Sequence, residues 1–230
     1  MTAPSTTRPR RALLIDYGGV LTTNVYQAFQ EFATREGLAA DAVVAALYSG
    51  PAARQLLIGL EEGTAPETDF ERGFGKLLGV EPEGLIKRLV HGMRLDHRMI
   101  DAVRAVRRAG VPTALVSNSW GTDFYPADLL AELFDEVVIS GRVGMRKPSR
   151  EIYLHAVRAL GQEPRDCVFV DDLARNLRAA AELGIATLHH TDADATICEM
   201  ARLFGIEIAT ADAEDPEEPA ADDQDSGSAA

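Results

Sequence analysis

The sequence predicts an α/β fold: a doubly wound parallel sheet flanked by helices, with an all-helical segment inserted into it. Two patterns predict this. Five short apolar runs (Ala12–Ile15, Thr113–Val116, Val137–Ile139, Cys167–Val170 and Ile185–Leu188) are rich in Val, Ile and Leu and do not alternate with polar residues. Such runs suit strands buried on both faces, as in a parallel sheet covered by helices. Residues 22–95, in contrast, show helical spacing throughout and no strand pattern, far more chain than one crossover requires.

The first run, Ala12–Ile15, is the predicted first strand. The insertion follows, with amphipathic stretches around Phe29/Phe32, Val43/Leu47, Leu56/Leu60 and Phe70/Leu77/Leu78. Turn signals at Gly37, Ser49–Pro51, Gly63–Pro66 and Gly79–Pro82 separate them. Ile100, Val103 and Val106 then form a helical stripe that ends in Arg107 and Arg108 ahead of Gly110, where cations favour a helix C-terminus. A second stripe, Ile152, Ala156 and Leu160, opens after Pro148 and closes at Gly161. A third runs from about Ala174 to Leu183 and stops at Gly184. Strands alternating with helices in this way give a doubly wound α/β core. The predicted division is a core from 10–21 and 96–208, a helical cap from 22–95, and a disordered acidic tail from 209–230, which holds eight acids and no base.

Composition narrows the function. Acids outnumber bases 36 to 23 for a net charge of −13, which argues against a nucleic-acid partner. No apolar run reaches the roughly 18 residues of a membrane span, so no membrane partner is expected. The basic N-terminus is followed only by the short run ALLI, too short for a signal peptide, and the two cysteines do not make a disulfide framework. A cytoplasmic location is the expectation, with oligomeric state left open.

The chemistry is expected beyond the carboxyl ends of the strands, where loops converge in an open α/β sheet. Asp16 follows the first run, in Asp16-Tyr17-Gly18-Gly19. Ser117 and Asn118 follow the second, Lys147-Pro148 comes after the third, and Asp171-Asp172 ends the fourth. The set suits phosphoryl transfer. Asp16 can attack phosphorus and form an aspartyl-phosphate, which splits one hard hydrolysis into two steps. Mg²⁺ neutralises the charge that opposes such an attack, and Asp16, Asp171 and Asp172 are the oxygen ligands it prefers. Ser117 can donate to a phosphoryl oxygen, and Lys147 can offset negative charge.

On these residues the chain resembles the haloacid dehalogenase (HAD) superfamily, subfamily IA, and is similar to the amino-terminal phosphatase domain of soluble epoxide hydrolases. The matching segments are LLIDYGGVL, LVSNSW, GMRKPSREIY and VFVDDLARNLRAAAELGI, in the family's order. The resemblance covers roughly 12–21 and 96–208. It implies a Rossmann-like core with a C1-type helical cap and a Mg²⁺-dependent phosphatase acting on a small organic phosphate monoester. It further implies Asp16 as nucleophile and metal ligand, the Gly18 carbonyl as a ligand, Asp172 as a direct ligand and Asp171 acting through water. Ser117 and Asn118 hold the phosphoryl group, Lys147 steadies it and Asp16, and Asn176 supports the site.

One position departs from the family. Typical phosphatases of the superfamily carry a second aspartate two residues after the nucleophile, as general acid and base; here that residue is Gly18, as it is in some family members, so the change does not imply inactivity. Losing such help costs about 10²–10⁴-fold and penalises poor leaving groups most. Two alternatives follow: a metal-independent haloacid dehalogenase using the same nucleophile on carbon, and a non-catalytic phosphate-ligand sensor. The Asp171-Asp172 pair argues against the first, and Gly18 is the support for the second. Trp120, Phe124 and Tyr125 are candidates for substrate contact or for packing between cap and core. His189-His190 reads as a surface pair, because adjacent residues near a strand end diverge. Cys167 reads as packing, and Lys76 and Lys87 as cap lysines without an imine role.

Overall fold

The computed structural model describes residues 11–121 and 124–208; the acidic segment 209–230, residue 10 of the predicted core and the residues before it lie outside the described residues. Strand β1 (Ala12–Ile15) is followed by five helices: α1 (Val25–Arg35), α2 (Ala42–Leu47), α3 (Pro51–Glu62), α4 (Glu67–Leu78) and α5 (Leu85–Val90). Helix α6 (His97–Arg108) leads to β2 (Thr113–Ser117), α7 (Ala127–Leu133), β3 (Glu136–Ile139), the single turn α8 (Ser140–Val143) and α9 (Arg150–Ala159). A 3₁₀ turn (Pro164–Asp166) precedes β4 (Cys167–Asp171), α10 (Ala174–Ala181), β5 (Ala186–His189) and α11 (Ala193–Phe204).

The strands form one parallel sheet in the order β3-β2-β1-β4-β5. Successive side chains of a strand point to opposite faces, and here both faces are covered. Leu13, Ile15, Leu115, Val168 and Val170 pack with Met99 and Val103 of α6, Leu133 of α7 and Met200 of α11. Leu14, Ala114, Val116 and Phe169 pack with Ile152, Tyr153 and Ala156 of α9 and Leu177 of α10. This double burial is why β1, β2 and β4 read as unbroken apolar runs.

The outer strands do not follow that pattern. In β5, half-buried residues alternate with exposed ones, and the first two residues of β3 are only half-buried. Each lies at an edge of the sheet, where covering helices reach one face better than the other. The predicted Ile185–Leu188 run is accordingly displaced by one residue: Ile185 is buried just ahead of the strand, and Thr187 is exposed.

The cap has its own core, in which Phe29, Phe32, Val43, Leu60, Phe70, Phe74, Leu85 and Leu89 meet. The stripe expected on Phe70/Leu77/Leu78 is corrected: Phe74, one turn from Phe70, takes the buried place, and Leu77 is 46% exposed. Helix α5 is additional to the four predicted stretches and buries Leu85, Ile86, Leu89 and Val90. The cap is tied where it leaves the core. Thr22 pairs with Leu95 in an antiparallel bridge, Thr23 N–H donates to Arg94 O at 2.8 Å, and Asp96 N–H donates to Leu21 O at 2.9 Å. Asp96 also caps α6, accepting from Arg98 and Met99 N–H, so one residue ends the neck and starts the core helix. No helix among the described residues is long and apolar enough to cross a membrane.

Candidate active site

The parallel sheet brings the ends of its three central strands together, and each delivers a polar side chain. Asp16 follows β1, Ser117 closes β2, and Asp171 closes β4 with Asp172 just beyond. Ligand oxygens of Asp16, Asp171 and Asp172 all lie within 4.8 Å of one another. Lys147 reaches this point from the segment between α8 and α9. Its Nζ lies 2.7 Å from Asp16 Oδ1 and 2.8 Å from Asp171 Oδ2.

Lys147 is 2% exposed, a cost few lysines bear without partners. Burial pulls its pKa down, but Asp16 and Asp171 outweigh burial and hold the amine above its usual value. Burial likewise dominates at Asp16; Lys147 opposes it, Asp171 and Asp172 reinforce it, and the carboxyl is raised to about 7. Asp172 is raised to about 6, by burial first and then by Asp171. Three carboxylates thus face one ammonium, a negative excess that a cation would relieve.

The two acids at the end of β4, Asp171 and Asp172, differ in what surrounds them. Asp171 is fully buried and saturated: Oδ1 accepts from Leu173 N–H at 2.8 Å and Asn176 Nδ2 at 3.0 Å, while Oδ2 accepts from Lys147. Asp172 is half-buried and lines the same cavity as Asp16. Its carboxylate presses against the Gly19 backbone, where an added Cβ would stand 2.6 Å from Oδ2. Gly19 also has φ +77, so this approach requires glycine on two counts. Gly18 is different: a Cβ there would meet only Met93 Cε, at 3.8 Å.

The cavity beside Asp16 measures about 80 Å³ and is lined on its core side by Gly18, Ser117, Asn118 and Asp172 as well. Trp120 belongs to this lining and packs against the cap rings of Phe29, at 5.3 Å between centroids, and Phe70, at 6.1 Å. Phe124 and Tyr125 also line it; Phe124 packs against both the cap and the core clusters, and Tyr125 against the core. Ser117 Oγ lies 3.0 Å from the Tyr125 hydroxyl. Asn118 has a second engagement: Oδ1 accepts from Lys147 N–H at 2.8 Å and Nδ2 donates to Lys147 O at 3.1 Å. His189 is exposed and contacts the Asp172 carbonyl at 2.9 Å, His190 pairs with Thr196, and Cys167 is buried in β4.

Several residues of the site carry little sequence signal. Tyr17, Val25, Tyr26 and Met93 line the cavity through tertiary contact alone. Glu61 is a buried carboxylate that pairs with Arg146 beside Lys147, while its main-chain carbonyl accepts from Ser140 Oγ. Burial raises its pKa against the pull of Arg146 and Asn118. The available signal was its position four residues after Leu57 and one after Leu60, which sets a charge on an apolar helix stripe.

The fit to a divalent cation follows from this donor set. Asp16 and Asp172 are oxygen donors facing one cavity, Asp171 is held behind them, and buried Asn176 Oδ1 beside it has no hydrogen-bond partner among the described residues. Hard oxygen ligands, excess negative charge and an unsatisfied acceptor suit an aquated Mg²⁺ better than a soft metal.

Comparison with known proteins agrees with this geometry. The family model for haloacid dehalogenase-like hydrolases matches residues 10–184. Bifunctional epoxide hydrolase 2 of Sus scrofa is 31% identical over 122 residues, which cover 50% of this chain and 22% of that protein. The chain therefore corresponds to about a fifth of that relative's length. A sesquiterpene phosphatase of Aspergillus oryzae is 30% identical over 151 residues, covering 63% of this chain and 77% of the relative. A HAD-like family hydrolase from Porphyromonas gingivalis has the same fold, with a TM-score of 0.68, 23% identity and coverage of 87% of this chain and all of that one. With an aspartate cluster at the strand ends and a family match across core and cap, the chain belongs to the haloacid dehalogenase-like hydrolases, a family in which it has phosphatase relatives.

Proposed function

We propose that this hydrolase is a Mg²⁺-dependent phosphatase of small organic phosphate monoesters, with Asp16 as the nucleophile. The observation that carries the reading is the Asp16–Lys147–Asp171 contact beside Asp172: an amine between two carboxylates, under a cavity about the size of a phosphoryl group. Asp16, the Gly18 carbonyl and Asp172 would hold the cation, with Asp171 behind them. The bound cation would supply neutralisation of the phosphoryl charge.

The side chains have separate tasks. Lys147 fixes the Asp16 carboxylate and opposes the rise that burial imposes on its pKa. Ser117, oriented by Tyr125, donates to a phosphoryl oxygen. Asn118 fixes the Lys147 main chain. Tyr17, Trp120 and Phe124 form an apolar wall that excludes water around the leaving group. Gly18 brings no acid, so leaving groups that depart without protonation, such as aryl or acyl groups, are preferred.

The test is a panel of phosphate esters and acetyl phosphate with and without Mg²⁺. Mg²⁺-dependent phosphate release, abolished in Asp16→Asn, supports the reading. Ligand-induced stabilisation without turnover would mark a sensor, and metal-independent halide release from a haloacid would mark a dehalogenase; either result overturns it.

A further inference from the structure

We propose that a second cleft between cap and core, carrying Arg54, Arg146 and Arg175, binds a second anionic group on the leaving part of the substrate. The proposal rests on the phosphatase reading and adds a substrate class to it: phosphate monoesters whose organic part bears a carboxylate or another phosphate.

The cleft measures about 620 Å³ and also includes Tyr48, Leu57 and Ile58. The chain carries a net charge of −13, yet no acidic side chain among the described residues lines this cleft. Arg146 is compensated by Glu61. Arg54 and Arg175 form no ion pair among the described residues; Arg175 is held by the Tyr48 hydroxyl and feels Glu61, but its positive charge, like that of Arg54, faces the cleft without a carboxylate in direct contact. Guanidinium groups match carboxylate and phosphate oxygens in bidentate fashion, and Leu57 and Ile58 give an apolar body something to pack against.

The cleft is built from the same segments as the reaction centre. Arg146 and Pro148, both in its wall, flank Lys147, and Arg175 follows Asp172 by three residues. A chain of side-chain contacts joins the walls of the two spaces. Tyr26 lines the Asp16 cavity, and Tyr48 reaches both Tyr26 and the Arg175 guanidinium. Tyr48 is 63% exposed, so its contacts with Tyr26 and Arg175 are made at the surface rather than within the packed core.

Charge then distinguishes the routes open to a leaving group. The Asp16 cavity, at about 80 Å³, holds a phosphoryl group and little more. Beyond Trp120 and Phe124 lies a space of about 540 Å³ whose charged lining is Glu67, Glu71 and Lys87, a net negative set. An anionic leaving group is disfavoured there and favoured beyond Tyr26.

The experiment compares phenyl phosphate with 3-carboxyphenyl phosphate on the Mg²⁺-loaded full chain, in wild type and in Arg54→Gln/Arg175→Gln. Wild type is expected to favour the carboxylated ester about tenfold in kcat/KM, through KM, and the double variant to lose that preference while hydrolysing phenyl phosphate normally. Arg54→Lys, which keeps the charge, retains part of the preference. A thermal melt of each variant separates lost folding from lost recognition. Equal treatment of the two esters by wild type, or equal losses on both in the variant, would overturn the proposal. Calorimetry with 3-carboxybenzylphosphonate against benzylphosphonate reads the cleft without turnover. If no ester is hydrolysed but the carboxylated phosphonate binds more tightly in an Arg54- and Arg175-dependent way, the phosphatase reading fails and the anion site stands; equal binding of the two removes the site.

Discussion

The side-chain amide of Asn118 brackets the main chain of Lys147, accepting from its N–H at 2.8 Å and donating to its carbonyl at 3.1 Å. A residue at the end of β2 thereby sets where the lysine from a distant loop enters the site. The lysine in turn holds Asp16 at 2.7 Å. Asn118→Ala is expected to lower stability by about 1–3 kcal/mol, for two hydrogen bonds at a partly buried position, and to reduce kcat more than it raises KM. Denaturant melts and steady-state kinetics check this; unchanged kcat with lowered stability would restrict Asn118 to a structural role.

Replacing Lys147 by Met leaves Asp16 and Asp171 buried without their cation. Breaking a buried ion pair from one side costs about 3–5 kcal/mol, and Lys147→Met is expected to lose that much at neutral pH. Part of the loss returns on acidification, as Asp16, whose pKa burial already raises, takes up a proton. Denaturant unfolding at several pH values checks both parts.

The metal-free protein is expected to lose stability as pH rises. Asp16 and Asp172 have folded values of about 7 and about 6, against 3.8 for the free group. A carboxyl raised in this way favours the fold fully below the unfolded value, and that contribution disappears as pH climbs through the folded one. Melting temperature without metal therefore falls across this window, and Asp172→Asn flattens the fall. Added Mg²⁺ raises the melting temperature more at the alkaline end than at the acid end, since ligands bind ionised. Parallel melting curves with and without metal would contradict this.

Gly18 offers room for a general acid, since a Cβ there meets only Met93 Cε at 3.8 Å. Gly18→Asp is expected to raise turnover of alkyl phosphates toward the ~10²–10⁴-fold that acid–base help supplies, with a smaller gain on aryl phosphates. Gly19→Ala is the contrasting case: its Cβ falls 2.6 Å from Asp172 Oδ2 at φ +77, so stability and metal affinity both drop. Paired kinetics on an alkyl and an aryl ester, with melts of both variants, check the contrast.

The legible parts of this fold were those enclosed on both sides. Strands β1, β2 and β4 appear as continuous apolar runs because helices cover both faces, and the polar residue ending each run marks the site. At the edges the rule weakens, and β5, exposed at alternate residues, was displaced by one position. In the cap, Leu77 and Phe74 are both apolar at helical spacings from Phe70, and only the packing of α4 against its neighbours decides between them. Asp16, Ser117, Lys147, Asp171 and Asp172 were legible as a candidate cluster because each ends or follows a strand or precedes a helix. The engagement of Asn118 with Lys147, and of Glu61 with Arg146, joins residues far apart in the chain; a charge on an apolar helix stripe singles out Glu61, but nothing local names either partner.

The most direct test of Asp16 as nucleophile is covalent trapping. The full chain is mixed with radiolabelled acetyl phosphate and Mg²⁺, quenched in acid within the first turnover, and the labelled peptide is mapped. Alkali-labile label on the peptide containing Asp16, absent without Mg²⁺ and in Asp16→Asn, is the predicted result. Label on another residue, or phosphate release by Asp16→Asn at the wild-type rate, would contradict it.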